Sequence, residues 1–185
     1  ALWAVVDGEP YDKLLKMRTS TGALLTSQFP AAQNAVGWID LPTNGVNGVT
    51  YFDGHLYVLA TVTNGCCDTQ SRLYKLNASS GAQVSLYDLS SGPQGIYNHN
   101  SPKGISNDGT NIVIFDSMEE KYWYVDPSTG TATLSKHFCC SNLGADAAAS
   151  RKGTSQVIVA SGDSLRHLGF QGNDPQLIKA YTLTG

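Results

Sequence analysis

Four short, unbroken apolar runs recur along the chain: Leu2-Trp3-Ala4-Val5-Val6, Leu56-Tyr57-Val58-Leu59-Ala60, Ile112-Val113-Ile114-Phe115 and Val157-Ile158-Val159-Ala160. Each has the length of a strand and is closed by a polar residue, Asp7, Thr61, Asp116 or Ser161. A continuous apolar run of this length predicts a strand buried on both faces, as happens where sheets stack on sheets. A second pattern follows each run, an apolar strand with a polar centre leading through a Ser/Thr-rich turn to a glycine. Its copies are Leu14-Leu15-Lys16-Met17 to Gly22, Leu73-Tyr74-Lys75-Leu76 to Gly81, Tyr122-Trp123-Tyr124-Val125 to Gly130, and Leu177-Ile178-Lys179-Ala180 to Gly185. The closing glycines lie about fifty residues apart, a period that suits a unit of four short strands and exceeds leucine-rich, ankyrin and tetratricopeptide repeats.

Two weaker patterns complete the unit. Alternating segments after the glycine turns, at Ala23 to Phe29, Ala82 to Leu89 and Thr131 to Phe138, predict half-exposed outer strands. Small residues ending in tight-turn signals precede the apolar runs at Gly48 to Gly54, Gly104 to Gly109 and, more faintly, Ala147 to Gly153, and they suit an innermost strand crowded near an axis. The predicted order is inner strand, buried strand, glycine-turn strand, outer strand. The fold class predicted is therefore all-β, a single β-propeller domain over 1–185 with four blades near 1–46, 47–102, 103–145 and 146–185. In this reading the first blade lacks its inner strand and the last its outer one, and Ser161 to Gln176 is a long loop. A β-sandwich is the structural rival, but it would not require the fourfold order of strand types.

Composition supports a turn-rich β protein: 41% apolar residues, only 15% charged and 19 glycines in 185 residues. The net charge is -3 with basic residues scattered singly, so no footprint for nucleic acid or an anionic membrane is expected. No apolar stretch approaches the length needed to span a bilayer as a helix. Four cysteines, placed as the adjacent pairs Cys66-Cys67 and Cys139-Cys140, lean toward an oxidising, extracellular or periplasmic location with any signal already removed. The sequon Asn77-Ala78-Ser79 would accept a glycan in such a setting, although Asn in this position is also a turn former.

The stretch Gly-Ile-Ser-Asn-Asp-Gly-Thr from Gly104, then Ile-Val-Ile-Phe-Asp from Ile112, then Tyr-Trp-Tyr-Val-Asp-Pro-Ser-Thr-Gly from Tyr122 resembles the repeats of NHL, YWTD and YVTN-type β-propellers. The resemblance implies that loops joining outer to inner strands, and second to third strands, emerge on one binding face. That face would carry Pro30 to Asn47, Ser90 to Lys103 and Cys139 to Asp146, with the shorter loops around Glu9, Cys66 and Glu119. With an open edge at either end of the chain, a homo-oligomer or a place within a longer propeller of six to eight blades is expected, the alternative being a small self-closed four-bladed ring with two short blades.

Both cysteine pairs fall on that face, where they can form vicinal disulfides, cross-link two loops, or hold a zinc ion as thiolates. Tyr97-Asn98-His99-Asn100, with Asn47 and Asp146 before neighbouring inner strands, would ring the mouth of the axial channel. Asn47, Asn98, His99 and Asp146 form a candidate Ca2+ or Zn2+ set, since these are oxygen and imidazole donors. Trp38, and Phe170 with His167, are candidates to stack on a sugar or other flat ligand. The candidate ligand-binding residues are thus Trp38, Cys66, Cys67, Asn98, His99, Asn100, Cys139, Cys140 and His167. Asp7 and Asp116 are read as capping backbone amides. No nucleophile elbow, zinc-protease helix motif or phosphate-cradling loop is present. The expected function is a binding module for a small molecule, glycan or protein. The alternatives are a metal-dependent hydrolase or lyase of the gluconolactonase or amidating-lyase type, and a structural assembly module.

Overall fold

The computed structural model describes residues 1–8, 10–25, 39–43, 45–64, 68–90, 102–116, 121–137, 147–150, 156–161, 163–171 and 174–182. Among these, every regular element is a strand. The chain divides into two compact units, Ala1–Asp88 and Leu89–Gly185.

The first unit holds two antiparallel sheets. Sheet 1 runs β1 (Leu2–Val6), β2 (Lys13–Met17) and β3 (Ile39–Asp40), in that spatial order. Sheet 2 runs β4 (Val46–Phe52), β5 (His55–Asn64), β6 (Asp68–Asn77) and β7 (Gln83–Asp88). The second unit holds sheet 3, with β8 (Pro102–Asn107), β9 (Ile112–Asp116), β10 (Lys121–Val125) and β11 (Ala132–His137), and sheet 4, with β12 (Ala147–Ser150), β13 (Val157–Ser161), β14 (Ser164–Gln171) and β15 (Asp174–Thr182). Each sheet is an up-and-down meander of sequence neighbours.

Local chemistry sets the turns. Asp53 and Gly54 join β4 to β5 with φ of 46° and 75°, and two positive values in a two-residue loop match the right-handed twist of the flanking strands. The glycine turns form one repeated device. Gly22, Gly81 and Gly130 have φ of 69°, 72° and 74°, and each donates its N–H at 2.8 Å to the carbonyl four residues earlier, on Arg18, Asn77 and Asp126. In two copies a side chain completes the turn: Asn77 Oδ1 accepts from the amides of Ser79 and Ser80 at 2.8 and 3.0 Å, and Asp126 Oδ1 from that of Ser128 at 2.7 Å. Asn77, the sequon residue, is therefore a turn former here.

Two expectations are corrected. The last sheet is not one strand short: Ser164–Gln171 is its third strand, and the segment containing Leu177 to Ala180 is its fourth. That segment is the outer strand, not a fourth copy of the glycine-turn strand, and the supposed loop from Ser161 to Gln176 is largely a hairpin. In sheet 1 the outer strand is split. Leu24 bridges to Met17 at one end of β2, while Ile39 and Asp40 pair with Leu14 and Lys13 at the other.

Burial follows the stacking of sheets within each unit. Leu14, Ile39 and Leu41, with Trp3 and Val5 packed beside them, meet Leu56, Val58, Ala60, Tyr74 and Leu76 of sheet 2. In the second unit Val113, Phe115 and Tyr122 of sheet 3 meet Val157, Val159 and Leu168 of sheet 4. All of Leu56–Ala60 and Ile112–Asp116 is buried, as continuous apolar runs predict. The run in β13 is buried on one face only, with Ile158 at 47% exposure, and β1 is no more than half-buried at Trp3 and Val5, with Leu2 and Val6 at 54% and 44%. Their other faces meet no packed sheet within their own unit, so the same sequence signal yields half the burial.

Candidate functional site

An open cleft of about 580 Å³ lies between sheets 1 and 2 within the first unit, a size suited to a small ligand. Its walls include Trp3 and Val5 of β1, Asp7 and Asp12 from the β1–β2 connection, and the segment Gly45 to Val49 that opens β4. Loops joining second to third strands and outer to inner strands thus converge here, the two loop classes that the propeller resemblance places on one face.

Asp12 is the residue around which the cleft is tied together. Its N–H donates to the Thr43 carbonyl at 3.3 Å and its carbonyl accepts from Leu41 N–H at 2.9 Å. Its Oδ2 accepts from Val46 N–H at 2.9 Å, closing a bridge from sheet 1 to sheet 2. Asp12 is only 5% exposed, yet among the described residues Oδ1 has no donor, and the residue lines the cleft. A buried carboxylate oxygen normally finds a donor.

Asn47 is brought in by a β-bulge. Val46 pairs with Ala60 and Gly48 with Leu59, so Asn47 is the extra residue, and bulges commonly re-aim a side chain. Its Nδ2 donates to Thr61 Oγ1 at 2.7 Å, which leaves Oδ1 as the group available to a ligand. The same bulge recurs in sheet 3, where Lys103 is the extra residue between Pro102 and Gly104. Gly45 fixes the start of this segment with φ of 73°: its carbonyl accepts from Thr61 N–H at 3.0 Å, and a Cβ there would lie 2.6 Å from the Thr61 carbonyl oxygen.

Asp7 is exposed and has no hydrogen-bond partner among the described residues, so no amide that it caps is found among them. Beside it, Gly8 leaves room for the Lys13 ammonium, which a Cβ would strike. Lys16 places its Nζ 4.9 Å from the centroid of the Trp3 ring, a cation–π contact that holds one wall. The cleft therefore offers two carboxylates and a carboxamide beside an indole, and one of the two N–H groups of Asn47 Nδ2 is engaged by Thr61.

Of the residues singled out from sequence, Asn47 lies in this cleft. His167 sits on β14 in the second unit, partly buried, with Nε2 3.1 Å from Gln156 Oε1, so it belongs to a strand and not to a ligand loop. Trp38, Cys66, Cys67, Asn98, His99, Asn100, Cys139, Cys140 and Asp146 lie outside the described residues. Among the described residues no group of three or more His, Cys, Asp or Glu could hold a metal ion. Sequence reasoning missed Asp12 altogether. Its partners are backbone groups of Leu41, Thr43 and Val46, and no local pattern advertises them.

No family model matches the sequence, and no curated protein matches it. Solved structures do. A putative 6-phosphogluconolactonase from Bacteroides uniformis aligns with a TM-score of 0.51 at 12% identity, over 97% of this chain and 53% of that one. Glutaminyl cyclase from Myxococcus xanthus aligns with a TM-score of 0.50 at 14% identity, over 75% of this chain and 50% of that one. The chain thus spans about half the length of either structure. Likeness at these identities carries the backbone arrangement and not the chemistry. With four antiparallel sheets and neighbours of this kind, the chain has a propeller-like all-β fold.

Proposed function

We propose that this chain is the ligand-binding part of a secreted-type propeller of the NHL, YWTD or YVTN-like kind, and that it takes a small molecule or the end of a glycan in the cleft between sheets 1 and 2. One observation carries this reading: Asp7 and Asp12 from the β1–β2 connection and Asn47 from the bulge that opens β4 line one cavity walled by Trp3. Concave sites with an aromatic wall and a few convergent polar groups are where small ligands bind. Directed acceptors then fix the orientation of the ligand, and the indole covers its apolar face.

The reading is tested by titrating isotope-labelled protein with a panel of simple sugars, amino sugars and diamines while following amide and indole resonances. Shifts centred on Trp3, Val46 and the Asn47 side chain support it. Shifts centred on another surface, or none with any probe, remove it. The enzymatic alternative, a metal-dependent hydrolase or lyase with Asn47 among its ligands, requires a stoichiometric ion after purification in calcium and zinc. Elemental analysis decides that point.

A further inference from the structure

We infer that the ligand of this cleft carries a protonated amine. The inference rests on the reading that the cleft is the ligand site, and it adds the chemical class. Among the described residues the ionisable side chains that line the cavity are the carboxylates of Asp7 and Asp12, and Asn47 adds a carboxamide. Two lysines flank the walls without being among the described lining residues: Lys16 lies over the Trp3 ring, and Lys13 lies against Gly8 beside Asp7.

Asp12 makes the case more than a count of acids. It is 95% buried by its 5% exposure, so its carboxylate has lost most of its hydration, and one hydrogen bond from Val46 N–H replaces only part of that loss. Asp12 lines a cavity that water and ligand can enter. An ammonium supplies three donors and a compensating charge in one group. Charge-assisted bonds of this type are roughly twice as strong as those a neutral hydroxyl makes. A neutral polyol offers donors too, but it brings no charge to the buried carboxylate of Asp12. An anionic ligand would be repelled.

The test is calorimetric titration of the full chain with two matched pairs, glucosamine against glucose and putrescine against its neutral diol analogue, with cleft resonances monitored in parallel. The ammonium member of each pair is expected to bind at least about tenfold more tightly than the neutral one. Asp7→Asn, at an exposed position, should remove about that factor for the ammonium members and weaken the neutral ones far less. Asp12→Asn, which keeps an acceptor for Val46 N–H, should do the same. Equal binding of both members at Trp3 and Asn47 overturns the ammonium class and leaves the cleft reading standing. Stoichiometric calcium binding with no response to amines also overturns it, in favour of an inorganic cation. No cleft perturbation by any of these probes removes both inferences together.

Discussion

At the scale of single residues, the turn that follows each third strand shows how one side chain replaces several backbone partners. Asp126 accepts the Ser128 hydroxyl at 2.6 Å and its amide at 2.7 Å. These bonds, the hydroxyl's first, hold its carboxyl below the ordinary value of 3.8, although the group is on the surface. A depressed carboxylate stabilises the fold above the unfolded value and loses that contribution as pH falls through the folded one. Acid should therefore loosen this turn only below about pH 3.8. A carboxyl-detected titration should place Asp126 under its ordinary value, with Ser128→Ala bringing it back up. A normal titration in the parent protein would show that the hydroxyl bond does not form in solution. Tyr122, by contrast, is pushed strongly upward by burial and stays a neutral phenol throughout the physiological range.

At the scale of elements, Gly45 and the stacked sheet faces set the sharpest expectations. Gly45→Ala forces an L-residue into φ of 73° and drives its Cβ against the Thr61 carbonyl. A cost of roughly 1–3 kcal/mol is expected from the backbone conformation alone. Ligand affinity should fall with it, because the same segment positions Asn47. Chemical denaturation and titration of the one variant measure both; unchanged stability would show that the strand start adapts. Leu14 is fully buried between sheets 1 and 2, so Leu14→Ala should cost about 2–5 kcal/mol. Ile158, at 47% exposure, lies on the uncovered face of sheet 4, and Ile158→Ala should stay within about 1 kcal/mol. If the two variants lose equal stability in denaturant melts, the assignment of covered and uncovered faces is wrong.

The elements that sequence revealed are those whose signals are local. The cores of Val46–Phe52 and His55–Asn64 were readable because Asp53-Gly54 demands a two-residue turn between the small-residue segment from Gly48 and the apolar run Leu56 to Ala60. Ser164–Gln171 was not, since Arg166 and His167 interrupt its leucines and a register shift between His167 and Leu168 breaks the period. The segment around Leu177 looked like a third strand because an outer strand with two adjacent apolar residues imitates one. The site divides in the same way. Asn47 stood out as a polar residue ahead of an inner strand, whereas Asp12 is defined by contacts with a segment some thirty residues away, which no window of sequence contains.

At the scale of the whole molecule, the chain is two units of two stacked sheets, and the acceptor-lined cleft belongs wholly to the first. A net charge of -3 is small for 185 residues, so the negative character of the cleft comes from placement and not from bulk composition. Placement also decides the terminal runs: Leu2-Trp3-Ala4-Val5-Val6 and Val157-Ile158-Val159-Ala160 read like the inner two, and only the stacking of sheets shows which of their side chains find cover.

Sheet 1 differs from the other three in one respect that bears on how the protein assembles. Sheets 2, 3 and 4 join each strand to the next through short links, so they can zip from hairpins on a microsecond scale. Closing β3 onto β2 must instead draw together chain ends separated by the long connection from Met17 to Ile39, and it gains only two paired residues for that entropic loss. The seam through Asp12, Leu41 and Val46 should thus be the last part of the first unit to form and the first to open. Hydrogen exchange should find the Leu41 and Val46 amides less protected than those of Val58 and Leu73. Equal protection would mean that the ligand pocket is as persistent as the core beneath it, and that a guest meets a finished cavity instead of one it helps to close.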